Sequence, residues 1–220
     1  MPRSPVRLAK LTRPRLHNAV PRERLFARLD DARHTHRAIC VVGPPGAGKT
    51  TLVASWLDAR EARGIWYQVD PGDKDLATFF HYLGQAVQPF SRKGRPPLLR
   101  LAPEYLGDVP GFSRRFFRDL FARLPADATL VLDNYQEVGA EELFHQIVAD
   151  AVDEVPLDLA LIVVTRRDPP DCYARLIANE AVAFVDWEDL RLTLEEARAI
   201  AAARGRRTER IDSLHAQSDG

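Results

Sequence analysis

Short β-branched apolar runs alternate with longer stretches whose apolar residues recur at helical spacing, a pattern that predicts successive βα units. Ala38 to Val42 is the first strand, followed by a glycine-rich turn and a helix from Thr50 to Ala62. Ile65 to Val69 is the second, and the helix after it, about Asp75 to Gln88, carries Leu76, Phe79, Phe80 and Leu83 at helical spacing. Five prolines and a basic stretch, Ser91 to Arg100, fall between Pro89 and Gly111 and predict a long connection with at most a short helix. Beyond it come a helix from Phe112 to Leu124, a strand from Thr129 to Leu132, a helix from Glu141 to Glu154 and a strand from Leu159 to Val164. A helix from Cys172 to Asn179 and a strand from Val182 to Val185 complete the series. Continuously apolar strands are buried on both faces, so the expected fold is α/β: a five-stranded parallel sheet between two layers of helices.

After Leu190 the pattern changes. Thr193 and Glu196 form a T-x-x-E capping box for a helix from Leu194 to Arg204 that stops at Gly205. Arg206 to Gly220 is polar, with Ile211 and Leu214 as its large apolar residues.

Composition excludes several classes of function. At 220 residues the chain has ample length for a core, and 31 basic against 31 acidic side chains give no overall field for coating nucleic acid or an anionic membrane. The longest apolar run, Leu159 to Val164, is far short of the ~20 residues a spanning helix needs. Met1 to Lys10 has no signal-peptide core, and the chain reads as soluble and cytoplasmic, with no membrane partner. Charge is nonetheless uneven: residues 1–40 hold ten Lys/Arg against three Asp/Glu, while 127–158 hold nine acidic residues and no Lys or Arg. The basic and acidic segments either meet or serve partners. Cys40 and Cys172 lack metal-ligand or C-x-x-C spacing and read as small buried hydrophobes, and the six histidines form no ligand set.

The informative chemistry follows the first strand. Gly43-Pro44-Pro45-Gly46-Ala47-Gly48-Lys49-Thr50 matches G-x-x-x-x-G-K-[ST], the phosphate-binding loop, in the strand-to-helix setting its mechanism requires. Glycines let backbone N–H groups turn inward around an anion, the helix N-terminus adds positive charge, and Lys49 supplies an ammonium for β and γ phosphates. Thr50 is placed to ligand Mg²⁺, and Thr51 to bond the α-phosphate.

Such a loop needs a carboxylate on a nearby strand end, and Leu130-Val131-Leu132-Asp133 supplies one. Asn134 follows, where ATPases of the additional-strand class usually carry a second acid; an amide orients water but cannot take its proton. Slow hydrolysis, no hydrolysis, or a base elsewhere, Glu137 or Asp70, are all consistent with it. Asp70 reads equally well as a helix cap. Thr165-Arg166-Arg167 ends the Leu159 to Val164 strand, and Arg166, preferred over Arg167, is the candidate γ-phosphate sensor; a solvated loop arginine is the alternative.

With these residues assembled, the chain resembles the nucleotide-binding domain of the STAND class of P-loop ATPases, and within it the MalT-like (LuxR-type) bacterial transcription regulators. The matching landmarks are Lys10 to Pro14, Val20 to Leu25, Gly43 to Trp56, Trp66 to Asp70 with Asp73, Asp75, Phe79, Tyr82 and Leu83, then Leu130 to Tyr135, Thr165-Arg166 and Leu190 to Thr193. The resemblance implies an ATP/ADP switch that self-associates in its ATP state within a larger protein and reaches DNA through a domain absent from this chain. It implies Arg22, with Val20-Pro21, on the adenine side, Lys49 and Thr50 at phosphate and magnesium, Asp133 at magnesium through water, and Arg166 at the γ-phosphate. It implies an N-terminal arm over 1–25, a P-loop domain over 26–190 and, over 191–220, the start of a helical or winged-helix segment, with Leu214 to Gly220 approaching a further nucleotide contact. Two other functions remain open at this level: a small-molecule or nucleotide kinase whose lid is Arg92 to Arg100, and an assembly module with permanently bound structural nucleotide.

Overall fold

The computed structural model describes residues 8–91, 94–205 and 211–218. Five parallel strands form one sheet: β1 Ala38–Val42, β2 Gly64–Gln68, β3 Thr129–Asp133, β4 Ala160–Thr165 and β5 Val182–Val185, in the order β2-β3-β4-β1-β5. Every expected strand is present within a residue or so.

Alternate strand residues feed two separate cores, as the period of two along a strand requires. Cys40, Leu130, Leu132, Leu161 and Val163 meet one layer of helices, α3 Leu76–Val87, α4 Val109–Phe121, α5 Glu142–Glu154 and the short α6 Ala174–Ala178. Ile39, Val41, Val131, Ile162 and Val164 meet the other, α1 Glu23–Thr35 and α2 Lys49–Ala59. The first core is built on phenylalanines: Phe80 lies 4.8 Å from Phe116 and 5.0 Å from Phe112 between ring centroids, both nearly edge-on. Each fully buried ring of this kind contributes about 1.5–3 kcal/mol. The result is the expected three-layer α/β sandwich.

Three differences from the sequence reading have local causes. Helix α1 was not anticipated; its buried residues, Leu25, Phe26, Leu29 and Ala32, form a narrow stripe among charged neighbours. Helix α4 starts at Val109 rather than Phe112, because Asp108 accepts from the Gly111 amide and Pro110 occupies the first turn, where its missing N–H costs nothing. Pro110, read as part of the connection, thus belongs to the first turn of a helix. Cys172 is only half-buried, unlike Cys40, since it sits in the short turn Asp171–Tyr173 at the protein's surface.

The C-terminal elements are α7 Trp187–Leu190, α8 Leu194–Ala203 and α9 Ile211–Ser218. The capping box at α8 forms as read: Glu196 N–H donates to Thr193 Oγ1 and Thr193 N–H to Glu196 Oε2. The basic and acidic segments do meet, at Arg33 with Asp127. Residues 1–7 of the N-terminal arm, Arg92 and Lys93 of the basic connection, and 206–210 and 219–220 of the C-terminal stretch lie outside the described residues. Among the described residues no helix is long and apolar enough to cross a membrane.

Candidate phosphate-binding site

The loop from Gly43 to Gly48 leaves β1 and enters α2 through two left-handed residues, Gly46 at φ +83° and Gly48 at φ +78°. Side chains other than glycine cost roughly 1–2 kcal/mol in this region. A Cβ added to either would meet nothing within 4 Å, so the mouth of the loop is open to a ligand. Gly43 is constrained differently: a Cβ there would lie 2.9 Å from Leu190 Cδ1, and its N–H donates to the Thr165 carbonyl of β4.

Lys49 is buried, and its Nζ donates to the carbonyls of Gly43 at 2.6 Å and Pro44 at 2.8 Å. Its pKa is lowered by burial and by the charge of Arg166, against the pull of Asp133. An ammonium so placed is held by its own loop and within reach of an anion in it.

β4 lies between β1 and β3, so Asp133 stands one strand removed from the loop strand. Thr50 Oγ1 donates to Asp133 Oδ1 at 3.0 Å and closes that distance. The Asn134 backbone N–H donates to the same oxygen at 2.9 Å. Burial raises the Asp133 pKa, opposed by these two bonds and by the charges of Lys49 and Arg166. Asn134 itself is left-handed, φ +57°, a conformation asparagine tolerates better than most side chains.

Lys49, Thr50, Thr51, Asp133, Asn134, Gln136 and Arg166 surround one cavity of about 290 Å³ with Pro45, Gly46 and Gly48. Of the residues read from the motif and the two strand ends, Gly43, Pro44 and Ala47 do not line it, Pro44 and Ala47 facing an adjoining cavity instead; Arg166 rather than Arg167 lines it. Of the two acids considered as a base, neither does. Asp70 caps the turn Pro71–Lys74 and binds Lys10 Nζ at 2.6 Å. Glu137 accepts from the Gln136 amide at 3.0 Å. Gln136 is the wall residue that sequence reasoning missed.

An adjoining cavity of about 570 Å³ extends from the loop past Val20, Arg22, Pro44, Ala47, Trp187 and Ile200. Arg22 is buried, and its Nη2 donates to the carbonyls of Leu190 and Arg191 and to Glu196 Oε2, each at 2.9 Å. Its Nε is buried with no hydrogen-bond partner among the described residues. The guanidinium thus fastens α8 beside the cavity and leaves its buried Nε–H unused among the described residues.

A family model described as an AAA domain matches residues 32–168. The chain is similar to the HTH-type transcriptional regulator MalT of Vibrio cholerae, 32% identical over 197 residues, which covers 83% of this chain and 21% of that protein. It is similar to MalT of Cronobacter sakazakii at 30% over 193 residues, 86% of this chain and 21% of that one. The chain spans about a fifth of the length of these relatives. Among solved structures it is similar to Drosophila ORC bound to DNA, with a TM-score of 0.50 at 11% identity over 74% of this chain and 87% of that one. It is similar also to the Aeropyrum pernix ORC1 protein in complex with DNA, with a TM-score of 0.50 at 15% identity over 86% and 50%. At these identities the likeness is one of fold.

Proposed function

Because the chain belongs to the AAA-domain family and is a MalT-like P-loop ATPase domain, we propose that it is the nucleotide switch of a signal-responsive transcription regulator, binding ATP and ADP with Mg²⁺ and hydrolysing ATP slowly. The observation that carries this reading is the single cavity in which a lysine, a hydroxyl–carboxylate pair and an arginine face an open glycine loop.

The donor set fits a magnesium triphosphate. Backbone from Gly43 to Thr51 cradles the phosphates, Lys49 contacts the outer two, and Arg166 reads the γ-phosphate. Thr50 and Asp133 would hold the metal, which keeps its other positions for phosphate and water, as Mg²⁺ prefers. When bound, the ion neutralises charge on the triphosphate. The cavity lined by Val20 and Arg22 would take the base, with Pro21 between them in the chain, and the unused Arg22 Nε is a donor for the base or ribose. Loss of the γ-phosphate empties the Arg166 side of the cavity while the base side stays filled, which is the difference a switch needs.

In this reading residues 1–25 are an N-terminal arm that supplies the adenine-side contact at Arg22, 26–190 the nucleotide domain and 191–220 the start of a C-terminal helical or winged-helix subdomain. Self-association in the ATP state and DNA contact through a domain outside this chain complete the proposal, with the protein acting in the cytoplasm.

The test is equilibrium binding of ATP and ADP to the parent and to Lys49→Ala. Removing charge-assisted bonds worth about 1.5–3 kcal/mol lowers ATP affinity by about 10- to 150-fold. Equal affinity in the two proteins overturns the site.

A further inference from the structure

With Asn134 in place of an acid, and Asp70 and Glu137 off the cavity wall, the residue that meets the attacking water must be sought among the groups that line it. Gln136 lines the 290 Å³ phosphate-side cavity, and it also lines a cavity of about 780 Å³ on the α5 side of the β3 and β4 ends. Among the described residues no other lines both, so Gln136 stands where the two cavities adjoin.

Its amide orientation is determined by its partners. Oε1 accepts from the Arg166 backbone N–H at 3.1 Å, and Nε2 donates to Glu137 Oε1 at 3.0 Å. A flipped amide would set its NH₂ against an N–H and its carbonyl against a carboxylate, losing both bonds. An amide oxygen has a second lone pair and an amide nitrogen a second hydrogen. One acceptor and one donor on Gln136 therefore remain beyond these two bonds.

The turn that carries Gln136 is also fixed from beneath. Tyr135 is buried, its hydroxyl lies 2.9 Å from His145 Nδ1, and His145 Nε2 lies 3.0 Å from the Gly139 carbonyl. A group that must place a water needs this kind of rigid support.

We propose that Gln136 is the residue that positions the attacking water for ATP hydrolysis, with Glu137 as the positioning residue that sets its amide; this rests on the nucleotide-binding reading above. The water accepts from the second Nε2 hydrogen or donates to the second Oε1 lone pair, beside the γ-phosphoryl group read by Arg166. Its oxygen forms the new bond to the γ-phosphorus as the bond to the β–γ bridging oxygen breaks. The bridging electron pair leaves with ADP. Gln136 takes no proton; the water's proton passes to an oxygen of the departing phosphate, so ATP and water become ADP and inorganic phosphate. An amide in place of a base makes hydrolysis slow and fits a switch that must hold its ATP state.

The experiment is single-turnover hydrolysis of bound ATP with Mg²⁺ in the parent, Gln136→Ala, Gln136→Glu and Glu137→Gln, with the affinity of each protein for ADP and for a non-hydrolysable ATP analogue. Gln136→Ala is expected to slow the chemical step by about 100-fold, the usual effect of deleting a preorganised polar group, with both affinities within about twofold of the parent. Gln136→Glu is expected to hydrolyse at a rate that rises as its carboxyl ionises, a pH profile the parent lacks and one that a merely structural role would not produce. Glu137→Gln is expected to fall between parent and Gln136→Ala. Unchanged hydrolysis in Gln136→Ala overturns the inference and leaves the nucleotide reading standing, as does a parent that binds ATP without converting it. Loss of affinity in step with loss of rate assigns Gln136 a structural role and overturns it too. A parent that binds no nucleotide overturns both.

Discussion

Thr50 Oγ1 and Asp133 Oδ1 stand 3.0 Å apart although β1, which leads to the helix of Thr50, and β3, which ends in Asp133, are separated by β4. The bond joins the first turn of α2 to the end of β3 and sets two oxygens side by side at the phosphate-side cavity. Thr50→Ala removes one of them and leaves Asp133, already raised by burial, with one donor fewer. Losing a hydrogen bond to a buried charged group costs about 1–3 kcal/mol, so the gain in ATP affinity that Mg²⁺ confers should fall by roughly 5- to 150-fold. Thr50→Ser should retain it. Calorimetric titrations of ATP with and without Mg²⁺ would decide, and an equal magnesium effect in Thr50→Ala removes Thr50 from the metal side.

Glu196 joins α8 to α1 through Arg22 at 2.9 Å and Arg24 at 3.1 Å. Burial alone would raise its pKa, but the bonds from Arg22, the Thr193 amide and Arg24 together hold it below the ordinary 4.5. A carboxylate depressed in the folded state contributes stability that is complete above the ordinary value and is lost as pH falls through the depressed one. Amide exchange protection in α8 should therefore be high at neutral pH and drop in the acid range, ahead of the central strands. Glu196→Gln should show the low protection at every pH. Protection that follows the same acid profile in that variant would contradict the role of the carboxylate.

Lys10 reaches across from the N-terminal segment to Asp70 at 2.6 Å and to Asp73 at 2.8 Å. Asp73 is wholly buried and also accepts from the Tyr67 hydroxyl at 2.7 Å. Lys10→Met strands that carboxylate, and breaking a buried pair from one side costs about 3–5 kcal/mol. Replacing both partners, as Lys10→Met with Asp73→Asn, should recover much of the loss. Denaturant unfolding of the single and double variants measures this, and a double variant no more stable than Lys10→Met would show that the pair is not an independent unit.

Gly43 touches the C-terminal elements. Gly43→Ala would set a methyl group 2.9 Å from Leu190 Cδ1, and Leu190 is one of two residues whose carbonyls Arg22 binds. The expected result is a destabilisation of about 1–3 kcal/mol from overpacking, accompanied by weaker nucleotide binding. Adding Leu190→Ala makes room and should restore nucleotide affinity more than stability, because it opens a cavity of its own. If the second change rescues neither, the loop and Leu190 are not coupled by this contact.

Much of this protein is settled by local pattern. The continuously apolar strands, the helical stripes behind Phe80 and Phe116, the capping box at Thr193 and the loop from Gly43 to Thr50 depend on residues near one another in the chain, so their spacing already specifies strand, helix, cap and anion nest. Asp133 and Arg166 were legible because each ends an apolar strand downstream of that loop, where a parallel sheet brings carboxyl ends together. Pairing across the sheet is not local. The order β2-β3-β4-β1-β5 decides that Asp133 meets Thr50, and the folded chain puts Arg166, not Arg167, on the cavity beside them. Tertiary structure alone takes Asp70 to Lys10, turns the Arg22 guanidinium onto α8 and brings Gln136 against the Arg166 amide, 30 residues on. No periodicity encodes that last contact, since a short turn after β3 and the end of β4 meet only when the sheet has formed. Local spacing specifies the elements; the closure of long loops between strand ends specifies which side chains they share.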